Sequence, residues 1–161
     1  AGPRSMTASA RQSLHNYHED ASQQLDAIAA ARGIKVGTVI DHLLAAADAG
    51  VFSSWPRLAS DVGLGPPGSD AWLSPAEVAD AVLAVEQENP GVPLGKLPLR
   101  AIRQRLEANA ETGAKVAALV SSRGGDPVLL YGALKLVLAM LSHGVSFTAI
   151  DTPPATHKPP L

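Results

Sequence analysis

Between Gly33 and Gly50 the apolar residues Val36, Val39, Ile40, Leu43, Leu44 and Ala47 recur at helical spacing. A 3.6-residue period gathers them on one face of a helix. Gly33 and Gly50 bound the segment, since glycine takes the left-handed backbone that ends a helix at little cost. A helix with one apolar face needs partners to cover it, so the rest of the chain must supply them. Of the 161 residues, 46% are hydrophobic, enough for one globular domain or two small halves sharing a core. Aromatics are only 4%, and the apolar content is mostly Ala, Leu and Val, which favours close packing of helices over a strand-built core. The expected fold class is all-α.

Thr7 to Ala21 reads as a first helix, with Leu14 and Tyr17 as its apolar anchors. Ser22 offers an N-cap for a short second helix that carries Leu25, Ile28 and Ala29 inward and stops at Gly33. Three helices with a tight Gly turn between the second and third form a helix-turn-helix pattern. Downstream, Trp55-Pro56, Gly63, Gly65, Pro66, Pro67 and Gly68 are dense enough in breakers to mark a connector, with Phe52, Trp55 and Leu58 pinning it to the core. Ser74-Pro75-Ala76-Glu77 then combines an N-cap, a first-position proline and a capping-box acid, opening a helix through about Glu88. After a break at Asn89 to Pro93, Leu99, Ile102, Leu106 and Ala110 form the stripe of another helix, and Ala114 to Val120 forms one more. Asp126-Pro127 repeats the cap-then-proline start for a last helix that runs to His143 and stops at Gly144. That helix is apolar on most sides, so Leu130, Leu134, Val137, Leu138 and Leu141 are expected to be central packing residues.

The organisation expected is therefore a cloning scar at 1–6, a helix-turn-helix three-helix unit at 7–50 and a Pro/Gly-rich connector at 51–73. A second helical half packed on the first follows at 74–144, then a Pro-rich tail or linker at 145–161. The scar reading rests on Ala1-Gly2-Pro3-Arg4-Ser5 preceding an internal Met6 without the apolar core of a signal peptide. The tail reading rests on Thr152-Pro153-Pro154 and Pro159-Pro160, which favour an extended backbone.

Several chemistries find no support. The chain has no cysteine, which removes disulfides, thiolate nucleophiles and thiolate metal sites together. The longest apolar stretch, Val128 to Leu141, is interrupted by Lys135 and falls short of the roughly 20 residues that span a bilayer, so no membrane partner is expected. Gly63-Leu64-Gly65-Pro66-Pro67-Gly68 matches a G-x-G-x-x-G spacing, yet no strand precedes it and two prolines delete N–H donors that a phosphate would need. A rigid linker turn accounts for it. His15, His18 and Glu19 fall on one helix face at a spacing that can hold a divalent metal, but no further ligand set accompanies them, and a solvated polar face is the simpler reading. Asp41 and His42 are adjacent in sequence and diverge by about 100° around their helix, so they make no catalytic pair. Neither catalysis nor a cofactor is expected.

Binding surfaces remain. Formal net charge is -2 and the isoelectric point about 6.2, whereas a domain that holds nucleic acid by its own field is normally strongly basic, so any such contact must be local. With its apolar set turned inward, the third helix shows Lys35, Gly37, Thr38, Asp41, His42 and Ala45, where a recognition helix would meet a groove. Asp41 repels phosphate there, and no Arg, Asn or Gln is present to read a base edge. The second surface is Lys96, Arg100 and Arg103, at i, i+4 and i+7, with Arg105 on an adjacent face. An ordinary solvated face, with Glu107 pairing Arg103 at i+4, competes with that reading.

The stretch Leu25-Asp26-Ala27-Ile28-Ala29-Ala30-Ala31-Arg32-Gly33-Ile34-Lys35-Val36-Gly37-Thr38-Val39-Ile40-Asp41-His42-Leu43-Leu44, continuing to Gly50, resembles the helicase helix-turn-helix domain found near the C-terminus of RecQ-type, Werner-syndrome-helicase-like DNA helicases. Its pattern is a short I-A-x-x-R-G helix, a turn, then T-(V/I)-x-x-H-L and a closing Gly. A looser likeness runs through Leu73-Ser74-Pro75-Ala76-Glu77, Pro98-Leu99-Arg100, Asp126-Pro127 and Tyr131-Gly132, with a middle longer and richer in Pro and Gly than that pattern. The resemblance implies a monomeric accessory domain of a helicase acting in DNA replication, recombination or repair. It would work in the nucleus of a eukaryote, or in the cytoplasm or nucleoid otherwise. Its expected DNA contacts are Lys35, Thr38, His42, Lys96, Arg100 and Arg103. The chain has no Walker motif, so ATP hydrolysis is not expected of it. The competing expectation is a protein-docking module, which the acidic balance and the Ala-rich helix surfaces favour.

Overall fold

Side-chain caps start α-helices at Thr7, Ser74 and Asn109, and left-handed glycines end two others at Gly33 and Gly144. The computed structural model describes residues 7–19, 24–50, 55–65 and 72–144. Among these, eight α-helices and one 3-10 turn carry the architecture, and the only β-type pairing is an isolated parallel bridge between Leu64 and Leu73. The fold is all-α. The chain divides into two compact units between Ser54 and Trp55.

In the first unit α1 spans Ala8–Glu19, α2 Leu25–Arg32 and α3 Val36–Asp48, and each of the three packs on the other two. The inward face of α3 is Val39, Ile40, Leu43, Ala46 and Ala47, all buried, while Val36 and Leu44 flank it at intermediate depth. Leu25, Ile28 and Ala29 fill the space from α2, and Gly33 ends that helix with φ 68°. Two expectations need correction. The inner face of α1 is Ala10, Ser13 and Tyr17, with Leu14 only half-buried, so a polar side chain occupies a core position. The N-cap of α2 is Gln24, whose side chain makes no capping bond. Residues 1–6, Ala21, Ser22, Phe52 and the 145–161 tail lie outside the described residues.

In the second unit α4 covers Trp55–Asp61, α5 Pro75–Glu88, α6 Leu99–Glu107, α7 Ala110–Ser121 and α8 Val128–His143, with the 3-10 turn at Leu94–Lys96. Ser74 starts α5 as expected: its Oγ accepts the Glu77 N–H at 3.2 Å, and the Glu77 carboxylate accepts the Ser74 N–H at 3.0 Å. Helix α8 is the centre of the unit. Leu130, Ala133, Leu134, Leu136, Val137 and Met140 are fully buried, whereas Leu141, expected among them, lies at intermediate depth. Around it pack α5, α6, α7 and the 3-10 turn.

The region read as a connector holds helix α4, whose Leu58 and Ala59 are buried together with Val62 just after it. Gly63 follows with φ 89°, and a Cβ there would stand 2.7 Å from Leu119 Cδ1, so this glycine answers to packing and not to phosphate binding. Its partner in the glycine pattern, Gly65, donates its N–H to the Leu73 carbonyl at 2.7 Å. Residues 66–68 of that pattern lie outside the described residues. Ala110 does not extend the α6 stripe. Asn109 breaks the chain there, its Oδ1 accepting the N–H groups of Glu111 and Thr112 at 2.9 and 3.4 Å, and Ala110 begins α7.

Candidate nucleic-acid interface

Each expected contact depends on whether its side chain is free to reach out. On α3, Lys35 is exposed at the N-cap position and has no partner among the described residues. Thr38 is half-buried one turn further on, and Asp41 is exposed beside it. His42 differs. It lies on the flank of the helix toward α1, and its Nδ1 is 2.7 Å from Ser13 Oγ, a hydroxyl with no solvent exposure.

Ser13 is held from a second side by Arg32 of α2. The Arg32 Nη1 donates to Ser13 Oγ and to the Ser9 carbonyl at 2.9 Å, and Nη2 donates to Ser9 Oγ at 2.9 Å. A guanidinium can only donate, so the hydroxyl accepts from Arg32 and has its own proton to offer His42 Nδ1. In the neutral ring, the tautomer that completes this chain carries its hydrogen on Nε2. Desolvation by burial, followed by the charge of Arg32, pushes the His42 pKa down, and Asp41 opposes them only in part. His42 therefore serves the joint between helices, and its expected place on an open recognition face is corrected accordingly. The Ser–His pair is not a nucleophile and base in waiting either. The hydroxyl is sealed from substrate and already accepts a bond from Arg32.

In the second unit the expected strip of Lys96, Arg100 and Arg103 does not form one helical row. Lys96 belongs to the 3-10 turn, Leu97 and Pro98 run extended, and α6 begins at Leu99, so helical spacing does not carry across. Arg103 is also committed. Its guanidinium carbon lies 5.8 Å from the Tyr131 ring centroid, and its Nε reaches Glu107 at 3.4 Å. A hydrogen bond with Tyr131, helped by Glu107, holds it protonated even more firmly than usual despite some desolvation. Arg105 faces Glu88 at 3.8 Å, Arg57 faces Asp61 at 3.9 Å, and Lys115 is bonded to the Glu77 carboxylate at 2.9 Å. Lys96 and Arg100 remain exposed with no partner among the described residues.

The second unit also carries two concavities among the described residues. A cleft of about 380 Å³ lies between α5 and the α6–α7 corner and presents the carboxylates Glu77, Asp80 and Glu111 beside the single cation Arg105, a balance that does not favour phosphate. A smaller one of about 210 Å³ is walled by Gly63, Trp72, Leu73, Ala118 and Leu119, and Trp72 is half exposed beside it. Neither was visible in the sequence. On α1, His15 and Glu19 pair at 3.8 Å, and no group of three His, Asp or Glu side chains converges among the described residues. No helix among them is long and apolar enough to cross a membrane. No protein-family model, curated protein or solved structure matches the chain significantly.

Proposed function

We propose that this chain is a non-catalytic accessory module of a RecQ-type DNA helicase that makes a few local contacts with nucleic-acid phosphates. The observation that carries the reading is the separation of cations into two kinds. Arg57, Arg103, Arg105 and Lys115 are paired with carboxylates and Arg32 with serines, whereas Arg11, Lys35, Lys96 and Arg100 stand exposed with no such partner among the described residues. Long, unpaired side chains on a folded surface can reach phosphate without first breaking a bond. Thr38 adds a hydroxyl on the same helix as Lys35. Few cations mean weak binding that falls quickly with salt. The helicase context rests on the resemblance of residues 25–50.

Protein docking is the second reading. The exposed carboxylate of Asp41 on the outward side of α3, together with the -2 net charge, favours it. Fluorescence anisotropy with single-stranded, duplex and forked DNA at low and moderate salt separates the two. Micromolar or weaker binding that fades with salt supports the phosphate reading. Absence of binding to all three at low salt assigns the surface to protein.

A further inference from the structure

The Ser9–Arg32–Ser13–His42 cluster has the makings of a device that senses acid. Three helices meet in it, and the one hydroxyl at its centre, Ser13 Oγ, is fully buried. From α2 the ring of His42 faces Arg32, and on its own helix the nearest charge is exposed Asp41. From α1 it meets Ser13, with the buried phenol of Tyr17 one turn further along the same face, while Arg11, His15, His18 and Glu19 are all on the exposed side of that helix. We propose that the Ser13–His42 contact is a proton-sensitive latch, and that protonation of His42 releases α1 from α2 and α3 while the second unit keeps its fold.

The chemistry follows from donor and acceptor counts. Neutral His42 accepts the Ser13 proton at Nδ1 while Ser13 accepts from Arg32, so the Ser13 hydroxyl uses its donor and an acceptor together. Adding a proton at Nδ1 turns that acceptor into a donor. Ser13 Oγ would then face two cationic donors at once, imidazolium and guanidinium, and its own hydrogen would lose its acceptor. No carboxylate from α1 or α2 offsets the new charge among the described residues, and exposed Asp41, about 100° round the same helix, offsets it only in part. The strain is relieved by parting α1 from the joint, which lets both cations reach water. Helix α1 is suited to leave, because its buried set is only Ala10, Ser13 and Tyr17.

The test is hydrogen exchange on the full chain at pH 7 and pH 5, resolved by residue and corrected for the intrinsic rate at each pH. Protection in α1 is expected to fall at pH 5, by up to about tenfold for each unit by which the folded His42 pKa lies below 6.5, while α5 and α8 stay unchanged. His42→Asn keeps an acceptor near the Nδ1 position and cannot take the proton, so its α1 protection is expected to be the same at both pH values. In the unsubstituted chain, a titration of the His42 ring resonances is expected to share its midpoint with the loss of α1 protection. Protection of α1 that does not vary with pH, persistence of the loss in His42→Asn, or a midpoint that differs from that of the His42 ring would each overturn the latch. The ring titration decides the matter even where His42→Asn does not fold.

Discussion

Removing the Glu77 carboxylate tests how the second unit is held together, because that group does two jobs. It returns the capping bond to the Ser74 N–H at 3.0 Å, and it binds Lys115 Nζ with both oxygens at 3.1 and 2.9 Å. Ser74→Ala removes only one side of the box, the bond from the Glu77 N–H, and is expected to cost about 1 kcal/mol, the usual value of an N-cap. Glu77→Ala removes the returning bond and also leaves the Lys115 ammonium, whose side chain is 11% exposed, without its counter-charge. A buried pair broken on one side costs about 3–5 kcal/mol. Glu77 is itself a quarter exposed, so water can reach the orphaned lysine, and a total of about 2–3 kcal/mol is expected. Urea unfolding followed by tryptophan fluorescence is the assay, since both tryptophans, Trp55 and Trp72, lie in the second unit. In a Lys115→Met background the Glu77→Ala cost is expected to shrink by about 1 kcal/mol. A Glu77→Ala cost no greater than that of Ser74→Ala, or one that Lys115→Met does not change, would refute the double role.

Further outcomes follow from the same structure. Burial works to raise the Glu77 pKa, but the Lys115 and Ser74 hydrogen bonds outweigh it and hold the carboxyl below its ordinary 4.5. Its stabilising share is therefore complete above that value and lost as pH falls further, so acid unfolding should cost the unsubstituted chain more stability than Glu77→Gln. Gly63→Ala is expected to destabilise the second unit by about 2–4 kcal/mol, from its left-handed backbone plus the collision with Leu119. Gly124→Ala, at φ 65° with open space around it, should cost only about 1–2 kcal/mol in the same urea assay. Arg103→Ala should lower stability by about 0.5–1.5 kcal/mol through loss of Tyr131 and Glu107, and leave DNA affinity unchanged in anisotropy.

Local signals were the legible part of this chain. Ser74-Pro75-Ala76-Glu77 announces α5 because every element of the cap is contiguous, and Gly33 and Gly144 mark stops for the same reason. The apolar stripe of α3 and the all-round apolar character of α8 translate directly into burial. Helix α4 was hidden because its seven residues sit among breakers that outweigh so short a periodic signal. The basic strip was misread by counting helical spacing across Pro98, although a residue before proline is pushed out of the helical region. Asn109 carried a cap signal that the continued stripe to Ala110 concealed. Ser13 and His42 are 29 residues apart, and only the packing of α1 on α3 brings them together. No local pattern encodes such a pair.

The central claim is that unpaired cations, and not the basic residues already engaged, touch phosphate. Its most direct test is the salt dependence of duplex DNA binding for the intact chain beside the Lys96→Ala and Arg100→Ala double variant, with folding checked by circular dichroism. If both side chains touch phosphate, weaker binding is expected at every sequence, and the slope of log affinity against log salt should fall by about 1.8, which is about 0.9 for each phosphate no longer neutralised. An unchanged affinity and slope in the folded double variant, or no binding by the intact chain at low salt, would contradict the account.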